Sequence, residues 1–330
     1  MGQDSMQNRH FEITFEDGQG LGNQLWLYAS LRGISNYYNA SFYVNAYEKF
    51  KGKNFLTLDQ GTSDKDLKID FFYEKLFHDI DLNTISCSFD ESIKNIKKNS
   101  NLKGYFQSEK YFFGNDKMLS KWITPNNSIK YLSREFDNFV ALNIRGGEYK
   151  FHKELILPKS YWHNSIKLLN KKYDSPKYLI VTDDRDYAKW LFPQYRIISE
   201  SIEECYAVLH GVKAVSVSNS SFGYFPIKTR LDAPFVIAPL YWARYENKFK
   251  RWASPANLYK EWNYLDKEGS LYKYEELIEN YNSKLEYFEK MPKTNIDQIS
   301  KLVVNKFYFI PPIIKKILRI LLHKINPIKF

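Results

Sequence analysis

The chain has 330 residues, of which 44% are hydrophobic and 26% charged, and it holds 14 glycines and 12 prolines. This composition excludes a disordered or fibrous protein and fits two domains or one large one. The two cysteines, Cys87 and Cys205, are too few for a disulfide framework and lie in no cluster typical of zinc, so we expect a reducing cytosol. The net charge of +10 is uneven, because residues 301–330 contribute +7 and the rest of the chain only +3.

The N-terminal region predicts a strand, a glycine-rich loop and a helix, over residues 11–15, 16–24 and 25–38. Gly18, Gly20 and Gly22 stand at alternate positions, which lets a backbone approach a ligand closely and direct its amides at an anion. The spacing differs from the Gly-x-Gly-x-x-Gly of dinucleotide sites, and the next predicted strand, 41–44, is followed by Asn45 rather than an acid, which disfavours a nicotinamide cofactor. A tight turn without a ligand is an equally good interpretation of this loop alone.

From about residue 136, short apolar runs alternate with helical segments. The predicted strands are 139–143, 178–182, 195–199, 214–217 and 235–238, and the predicted helices are 159–172, 185–191, 201–211 and 222–229. Apolar runs separated by crossover helices are typical of a parallel sheet buried on both faces. Such sheets bind ligands beyond the carboxyl ends of their strands, so the residues that follow each strand are informative.

Three of these strand ends carry polar clusters. They are Asn143-Ile-Arg145-Gly146-Gly147-Glu148, Asp183-Asp184 and Ser218-Asn219-Ser220-Ser221. Arg145 is a planar, permanent cation that suits phosphate oxygens. Ser220 and Ser221 open a predicted helix, where hydroxyls and amides can hold phosphate oxygens, and Asp183 can accept hydrogen bonds from a base or a ribose. These clusters predict a nucleotide site.

Each cluster also has a purely structural interpretation. Arg145 can pair with Glu148 at the surface, Asp183 and Asp184 can cap the following helix, and Ser220 can be an N-cap alone. Asp183 and Asp184 are adjacent, so their side chains point in different directions and we expect no metal there.

Residues 241–262 are rich in aromatic residues with Arg and Lys among them, a pattern that suits sugars or single-stranded nucleic acid. Core packing near a domain junction is the favoured interpretation. Residues 267–291 predict a charged, solvated helical region.

The C-terminal segment predicts a cationic amphipathic helix over residues 313–325, with Lys315, Lys316, Arg319 and His323 on one side and mostly apolar residues opposite. One interpretation is an anchor on an anionic membrane surface, and the other is a helix packed on the protein itself. No apolar run approaches the roughly 20 residues that span a bilayer, so we expect no integral membrane protein.

Several short motifs, taken in order, resemble those of bacterial α-1,2-fucosyltransferases over roughly residues 11–245. They are Gly20-Leu-Gly-Asn-Gln24, Gly104-Tyr-Phe-Gln-Ser-Glu-Lys-Tyr-Phe112, Val181-Thr-Asp-Asp184, Asn219-Ser-Ser-Phe222, Ile237-Ala-Pro239 and Tyr241-Trp242. The resemblance implies an α/β, GT-B-like fold of two Rossmann-like domains whose parallel sheets face a central cleft. It further implies a GDP-fucose donor, inversion at the anomeric carbon, and no cofactor or metal.

The resemblance also implies roles for individual residues. Arg145 would hold the β-phosphate, Asp183 would contact the guanosine, and Asn23 would face the pyrophosphate or the sugar. Substrate-binding residues on this basis are Gly20, Gly22, Asn23, Gln24, Asn143, Asp183, Asn219, Ser220, Ser221 and Phe222. Arg145 and Glu148 are the catalytic candidates, with Glu109 a second acid near the motifs.

The chain departs from the family at one motif. Where the family has His-x-Arg-Arg-x-Asp, this sequence has Asn143, Arg145, Gly146 and Glu148 in the corresponding positions. Asn143 can still hydrogen-bond a guanine edge, and Glu148 keeps a carboxylate. The second arginine is lost, which leaves the donor open between GDP-fucose, another GDP-linked deoxysugar and a non-guanine nucleotide sugar.

We therefore expect an N-terminal acceptor-side domain (1–135), a nucleotide-sugar domain (136–265), a helical linker (266–300) and a basic, membrane-associating tail (301–330). The expected protein is a cytoplasmic transferase, peripheral on the inner face of the membrane, that acts on a glycan acceptor in surface polysaccharide or lipopolysaccharide synthesis. The expected linkage is α-1,2, and whether the acceptor is lipid-linked is left open. A noncatalytic nucleotide- or carbohydrate-binding protein is a further alternative. An RNA-binding protein is a weaker one, and we expect no nucleic acid partner.

Overall fold

A computed structural model describes residues 9–64, 66–79, 84–151, 154–245, 252, 257–283 and 285–298. Its strands are β1 His10–Thr14, β2 Ser41–Asn45, β3 Leu56–Thr57, β4 Asp70–Tyr73, β5 Leu76–Asp79, β6 Thr84–Ser86, β7 Ser100–Lys103, β8 Thr124–Pro125, β9 Phe139–Ile144, β10 Lys177–Thr182, β11 Arg196–Ile198, β12 Ala214–Val217, β13 Phe235–Pro239, β14 Asn263–Leu265, β15 Leu271–Lys273 and β16 Lys293–Thr294. Its α-helices are α1 Leu21–Tyr38, α2 Leu119–Trp122, α3 Asn127–Arg134, α4 Lys159–Lys172, α5 Arg185–Leu191, α6 Ile202–Gly211, α7 Tyr224–Lys228, α8 Tyr274–Ser283 and α9 Leu285–Glu289.

The N-terminal half is built on a parallel sheet with the strand order β2-β1-β7-β4. Phe11 and Ile13 alternate along β1 with polar residues and are fully buried, as expected for a strand with one face in the core. Helix α1 starts at Leu21, four residues before the predicted start, so Gly22 and Gln24 lie in its first turn rather than in the loop. The predicted start of this helix was therefore wrong by about one turn.

The C-terminal half is a seven-stranded sheet with the order β11-β10-β9-β12-β13-β14-β15. All pairs are parallel except β14 with β15. Numbered within this half, the first six strands have the order 3-2-1-4-5-6 of a doubly wound Rossmann sheet. The predicted βαβ series is confirmed, with strand ends shifted by at most one residue, and the fold is α/β with two sheets of mainly parallel strands.

The two halves share an aromatic core. Trp26 of α1 lies 4.3 Å from Tyr224 and 5.3 Å from Phe225 of α7, measured between ring centroids. Trp242, Tyr259 and Trp262 of the aromatic-rich segment are also buried, so core packing accounts for them. Residues 246–251 and 253–256 of that segment lie outside the described residues.

Beyond β15, the chain passes through α8 and α9 and returns to the N-terminal half. There β16 pairs antiparallel with β5. Among the described residues, no helix combines the length and the hydropathy needed to cross a bilayer. The predicted amphipathic helix at 313–325 lies outside the described residues and stays a prediction.

Candidate functional site

The three polar clusters lie together at one edge of the C-terminal sheet. Strands β9 and β12 are neighbours, and β10 lies on the other side of β9. The strand order reverses between β9 and β12, and ligands of open α/β sheets bind at such a point. Arg145 follows β9, Asp183 follows β10 and Ser218 follows β12, so the predicted convergence is present.

Arg145 is held between two carboxylates. Its Nη1 lies 3.0 Å from Asp183 Oδ2, and its Nη2 lies 3.3 Å from Glu148 Oε1. Its guanidinium carbon also lies 5.3 Å from the centroid of the Tyr149 ring. Nε is buried and has no partner among the described residues. Both terminal nitrogens of the guanidinium are thus oriented by carboxylates, and Nε is a buried donor.

The two glycines after Arg145 make room for carboxylates. The Gly146 and Gly147 amides donate to Asp183 Oδ1 at 2.9 Å and Asp184 Oδ2 at 3.1 Å. A Cβ at Gly146 would lie 2.6 Å from Asp184 Cβ, and one at Gly147, where φ is +38°, would lie 2.3 Å from Asp183 Oδ2. The loop therefore needs glycine at both positions to close against β10.

Asp184 caps the following helix, which is the purely structural interpretation given above. Its Oδ1 accepts from the Tyr187 amide at 3.0 Å and so caps α5, and its carboxylate also pairs with Lys150. Burial pushes the pKa of Asp184 up, but Lys150 and the Tyr187 and Gly147 amides outweigh burial and hold that pKa below its ordinary value. Both oxygens of Asp183 are engaged as well, so its expected contact with guanosine stays a prediction.

Two buried polar atoms at this edge can accept a ligand hydrogen bond. Asn143 is 5% exposed and Ser218 is 2% exposed. Neither Asn143 Oδ1 nor Ser218 Oγ has a hydrogen-bond partner in the part of the chain that the structure describes. Buried polar groups are normally satisfied by protein, water or ligand, so these two atoms mark the inner wall of the candidate site.

Other residues of the predicted site form hydrogen bonds within the protein. Asn219 donates to the Leu155 carbonyl at 2.8 Å and accepts from the Ala243 amide at 2.9 Å, which fixes the loops beside the site. Ser220 Oγ accepts from the Phe222 amide and caps a short 3-10 helix, Ser221–Gly223. Gln24 binds backbone groups of Lys49 and Lys51 and is fully buried, so it faces away from the nucleotide edge.

The start of α1 reaches the site from the other half. Asn23 Oδ1 accepts hydrogen bonds from Ser221 Oγ at 2.7 Å and from Gln107 Nε2 at 2.9 Å. A Cβ at Gly22 would lie 2.6 Å from the Ser221 carbonyl carbon and 2.7 Å from the Phe222 nitrogen. The glycine motif and the serine motif, distant in sequence, thus meet across the two halves, as the site prediction required.

Neither acid proposed near the motifs is positioned as a free base. Glu109 Oε1 accepts from the Tyr224 hydroxyl at 2.6 Å and lies 3.5 Å from Lys228 Nζ, and burial raises its pKa. Glu109 therefore joins the two halves. Glu148 is 71% exposed and paired with Arg145. Glu16, two residues beyond β1, is a further acid that the motif argument did not name, and it pairs with Lys103.

Glu74 binds the backbone of the segment 104–107 and was also not identified from the sequence. Its Oε2 accepts from the Tyr105 and Phe106 amides at 2.7 and 2.8 Å, and its Oε1 accepts from the Tyr111 hydroxyl at 2.9 Å. Burial raises the pKa of Glu74 to about 7. A Cβ at Gly104 would lie 2.5 Å from Glu74 Cβ. The glycine at position 104 is therefore the one feature of the sequence that indicated a closely packed side chain here.

A depression of about 580 Å³ lies against the edge strand β11 and α5, away from these strand ends, and is lined by Arg185, Arg196 and Glu200 among others. It is not part of the candidate site. In the described part of the chain, no group of three or more His, Cys, Asp or Glu residues is placed to hold a metal ion.

No family model matches this sequence, and no curated protein sequence matches it. Solved structures are similar at low identity, among them the following three. POFUT1 in complex with GDP is 10% identical over 70% of this chain and 97% of that chain, with a TM-score of 0.38. The glycosyl transferase family 9 from Veillonella parvula DSM 2008 is 8% identical over 71% and 81%, with a TM-score of 0.40. The E. coli heptosyltransferase WaaC with ADP is 11% identical over 70% and 87%, with a TM-score of 0.36.

These structural similarities are weak. The two-sheet α/β fold follows instead from the strand order of this chain itself. The resemblance to bacterial α-1,2-fucosyltransferases stays a prediction.

Proposed function

We propose that the protein is an inverting glycosyltransferase that transfers L-fucose, or a related deoxysugar, from a GDP-linked donor to a glycan hydroxyl, in an α-1,2 linkage. The observation that carries the proposal is the meeting of Arg145, Asn143 and Ser221 at the reversal point of the C-terminal sheet, opposite the start of α1. The motif resemblance supports GDP and fucose in particular.

In this reaction, the acceptor oxygen forms a bond to the anomeric carbon while the bond from that carbon to the diphosphate oxygen breaks. The hydroxyl proton leaves to a base, and negative charge collects on the departing diphosphate. Arg145 is the group placed to stabilise that charge, because an oriented cation in a partly dehydrated site costs little reorganisation. Asp183 and Glu148 orient the guanidinium, and the three side chains together carry a net charge of −1.

Calorimetry of GDP, UDP, CMP and NAD against the native protein tests the donor site. We expect GDP to bind best and Arg145→Ala to weaken it at least about tenfold, as for loss of a charge-assisted hydrogen bond. Arg230→Ala is the control, since Arg230 is also paired with an acid, Asp232, but donates to the Val212 carbonyl at the opposite, amino end of β12. Binding of another nucleotide in place of GDP would contradict the donor, and binding of none would contradict the site.

A noncatalytic nucleotide-binding protein is the second candidate, and Gly146 favours it. No side chain fits there without displacing Asp184 and Tyr187, whose Cδ1 would lie 2.9 Å from an added Cβ. The chain thus has no second cation where the resembling family has one. GDP binding without hydrolysis or transfer from any GDP-sugar would establish this candidate. A steep salt dependence of RNA affinity would instead indicate an RNA-binding protein.

We also propose that the acceptor belongs to a surface polysaccharide or lipopolysaccharide and that residues 301–330 hold the protein on an anionic membrane. The support is their charge of +7 without an acid. Deletion of 301–330 should release the protein from anionic vesicles and spare turnover of a soluble acceptor. Unchanged vesicle binding would contradict the anchor.

A further inference from the structure

The N-terminal sheet has a reversal point of its own. Its strand order turns between β1 and β7, whose carboxyl ends are followed by Glu16 and by Gly104. A depression of about 220 Å³ lies at this point. Its lining residues are Thr14, Glu16, Gln19, Leu27, Tyr73, Leu102, Lys103, Gly104, Ile296 and Asp297. By the rule that applies to the other sheet, this is a second place for a ligand.

The polar groups of this depression suit a neutral molecule with many hydroxyls. Lys103 Nζ lies 3.4 Å from Glu16 Oε1, so these two charges balance each other, and Asp297 leaves the lining with a net charge of −1, which disfavours an anion. The Gln19 side chain accepts from the Glu16 amide at 3.1 Å, which keeps its NH₂ group as a donor beside the carboxylate. A carboxylate, an ammonium, an amide and the Thr14 hydroxyl together offer both donors and acceptors to ring hydroxyls.

An exposed aromatic pair extends this depression along the edge strand β4. Phe71 is 61% exposed and Tyr73 is 36% exposed, with their ring centroids 6.0 Å apart. They pair in register with Asn101 and Lys103 of β7 and so lie on the same face as Lys103, whose Nζ lies 5.8 Å from the Phe71 ring centroid. Tyr73 belongs to both features, so polar depression and aromatic pair form one surface.

We propose that this surface binds the acceptor as an oligosaccharide of at least two sugar units. The terminal sugar occupies the depression, with its hydroxyls on Glu16, Lys103 and Gln19, and the preceding sugar stacks on Tyr73 and Phe71. Sites for small polar molecules combine aromatic walls with a few placed polar groups, and a stacked ring accepts the apolar C–H face of a sugar. The reaction assigned to this acceptor rests on the proposed function, but the binding does not.

The polar and aromatic parts make different predictions for short and long glycans. A monosaccharide would reach only the depression, whereas a disaccharide would also contact the aromatic pair. The affinity should therefore rise from the monosaccharide to the disaccharide with the same terminal sugar, and Phe71 and Tyr73 should account for the increase.

The experiment applies labelled full-length protein, with and without GDP, to an array of oligosaccharides. The monosaccharide and disaccharide forms of the best ligand are then titrated by NMR. We expect Phe71→Ala to weaken binding of the disaccharide about tenfold, the loss expected for one aromatic contact, and to leave binding of the monosaccharide and of GDP unchanged. Tyr73 also lines the depression, so Tyr73→Ala should weaken both glycans, the disaccharide more, and leave GDP binding unchanged. Tyr131→Ala is the matched control, because Tyr131 is 72% exposed on α3.

Each outcome decides between the proposals. GDP binding without any glycan binding, or glycan binding that survives both alanine variants, overturns the acceptor surface and leaves the donor site standing. Glycan binding that depends on Phe71 and Tyr73, in a protein that binds no nucleotide, supports the surface and overturns the proposed transferase. Self-association lost in Phe71→Ala, without glycan binding, assigns the edge strand to a second copy of the chain and overturns the inference.

Discussion

At the carboxyl end of β9, Arg145 lies between Asp183 and Glu148, and these two acids have different further partners. Asp183 also accepts from the Gly146 amide, whereas Glu148 is largely exposed. Asp183 is therefore the group that fixes both the loop and the guanidinium. If its effect on nucleotide binding passes through Arg145, the two residues will not act independently.

We expect Asp183→Asn to weaken GDP binding severalfold in the native protein. In a protein that already carries Arg145→Ala, the same substitution should have little further effect on GDP binding. Calorimetry of both single variants and the double variant measures this coupling, expected to be about 1 kcal/mol. If the two losses simply add, Asp183 contacts the nucleotide itself, as the resemblance implied.

Glu74 should make the stability of the protein depend on pH. Burial raises its folded-state pKa to about 7 from 4.5, so folding favours the protonated acid. The stabilisation is complete below about pH 4.5 and is lost as the pH rises through 7, with a total of roughly 3 kcal/mol by linkage.

The free energy of unfolding of the native protein should therefore fall relative to that of Glu74→Gln between pH 5 and 8. Urea unfolding at several pH values measures it. Parallel curves for the two proteins would show that Glu74 does not titrate in this range.

At the scale of elements, the first turn of α1 packs against the backbone of the 3-10 helix Ser221–Gly223. We expect Gly22→Ala to destabilise the protein by about 1–3 kcal/mol, since the added methyl meets backbone that cannot rotate away. It should also weaken GDP binding, because Ser221 moves with the contact.

The matched control is Gly20→Ala, where an added Cβ meets nothing within 4 Å and φ is −70°. Differential scanning fluorimetry and GDP titration compare the two. An equal effect of both substitutions would place the cause in the loop rather than in the contact.

Several elements could be predicted from the sequence because their patterns are simple. The apolar strands β9, β10 and β12 and the helices between them are of this kind, and the polar residues at their ends followed directly. Strands β4 and β7 could not be predicted in this way, because each has four residues and β7 contains Leu102 as its one apolar side chain. Glu74 and Gln107 were missed as positioning residues because their partners are distant in sequence.

At the scale of the whole molecule, Trp26 is one of the side chains through which the two halves pack. It is 1% exposed and contacts aromatic rings from both of them, including Phe112 at 5.5 Å. We expect Trp26→Ala to lower stability by about 3–5 kcal/mol and to split a single calorimetric transition into two. Trp190→Ala, at a position 54% exposed, should do neither. One unsplit transition in Trp26→Ala would show that other contacts couple the halves.

The Ser221 hydroxyl has a single hydrogen atom, and Asn23 receives it. A phosphate oxygen at the same place would need that hydrogen too, so the arriving nucleotide competes with a bond between the two halves. In the proposed transferase, the bond between Asn23 and Ser221 would open on entry of the donor and close again on departure of GDP, while the packing of Trp26 on Tyr224 and Phe225 keeps the two halves together.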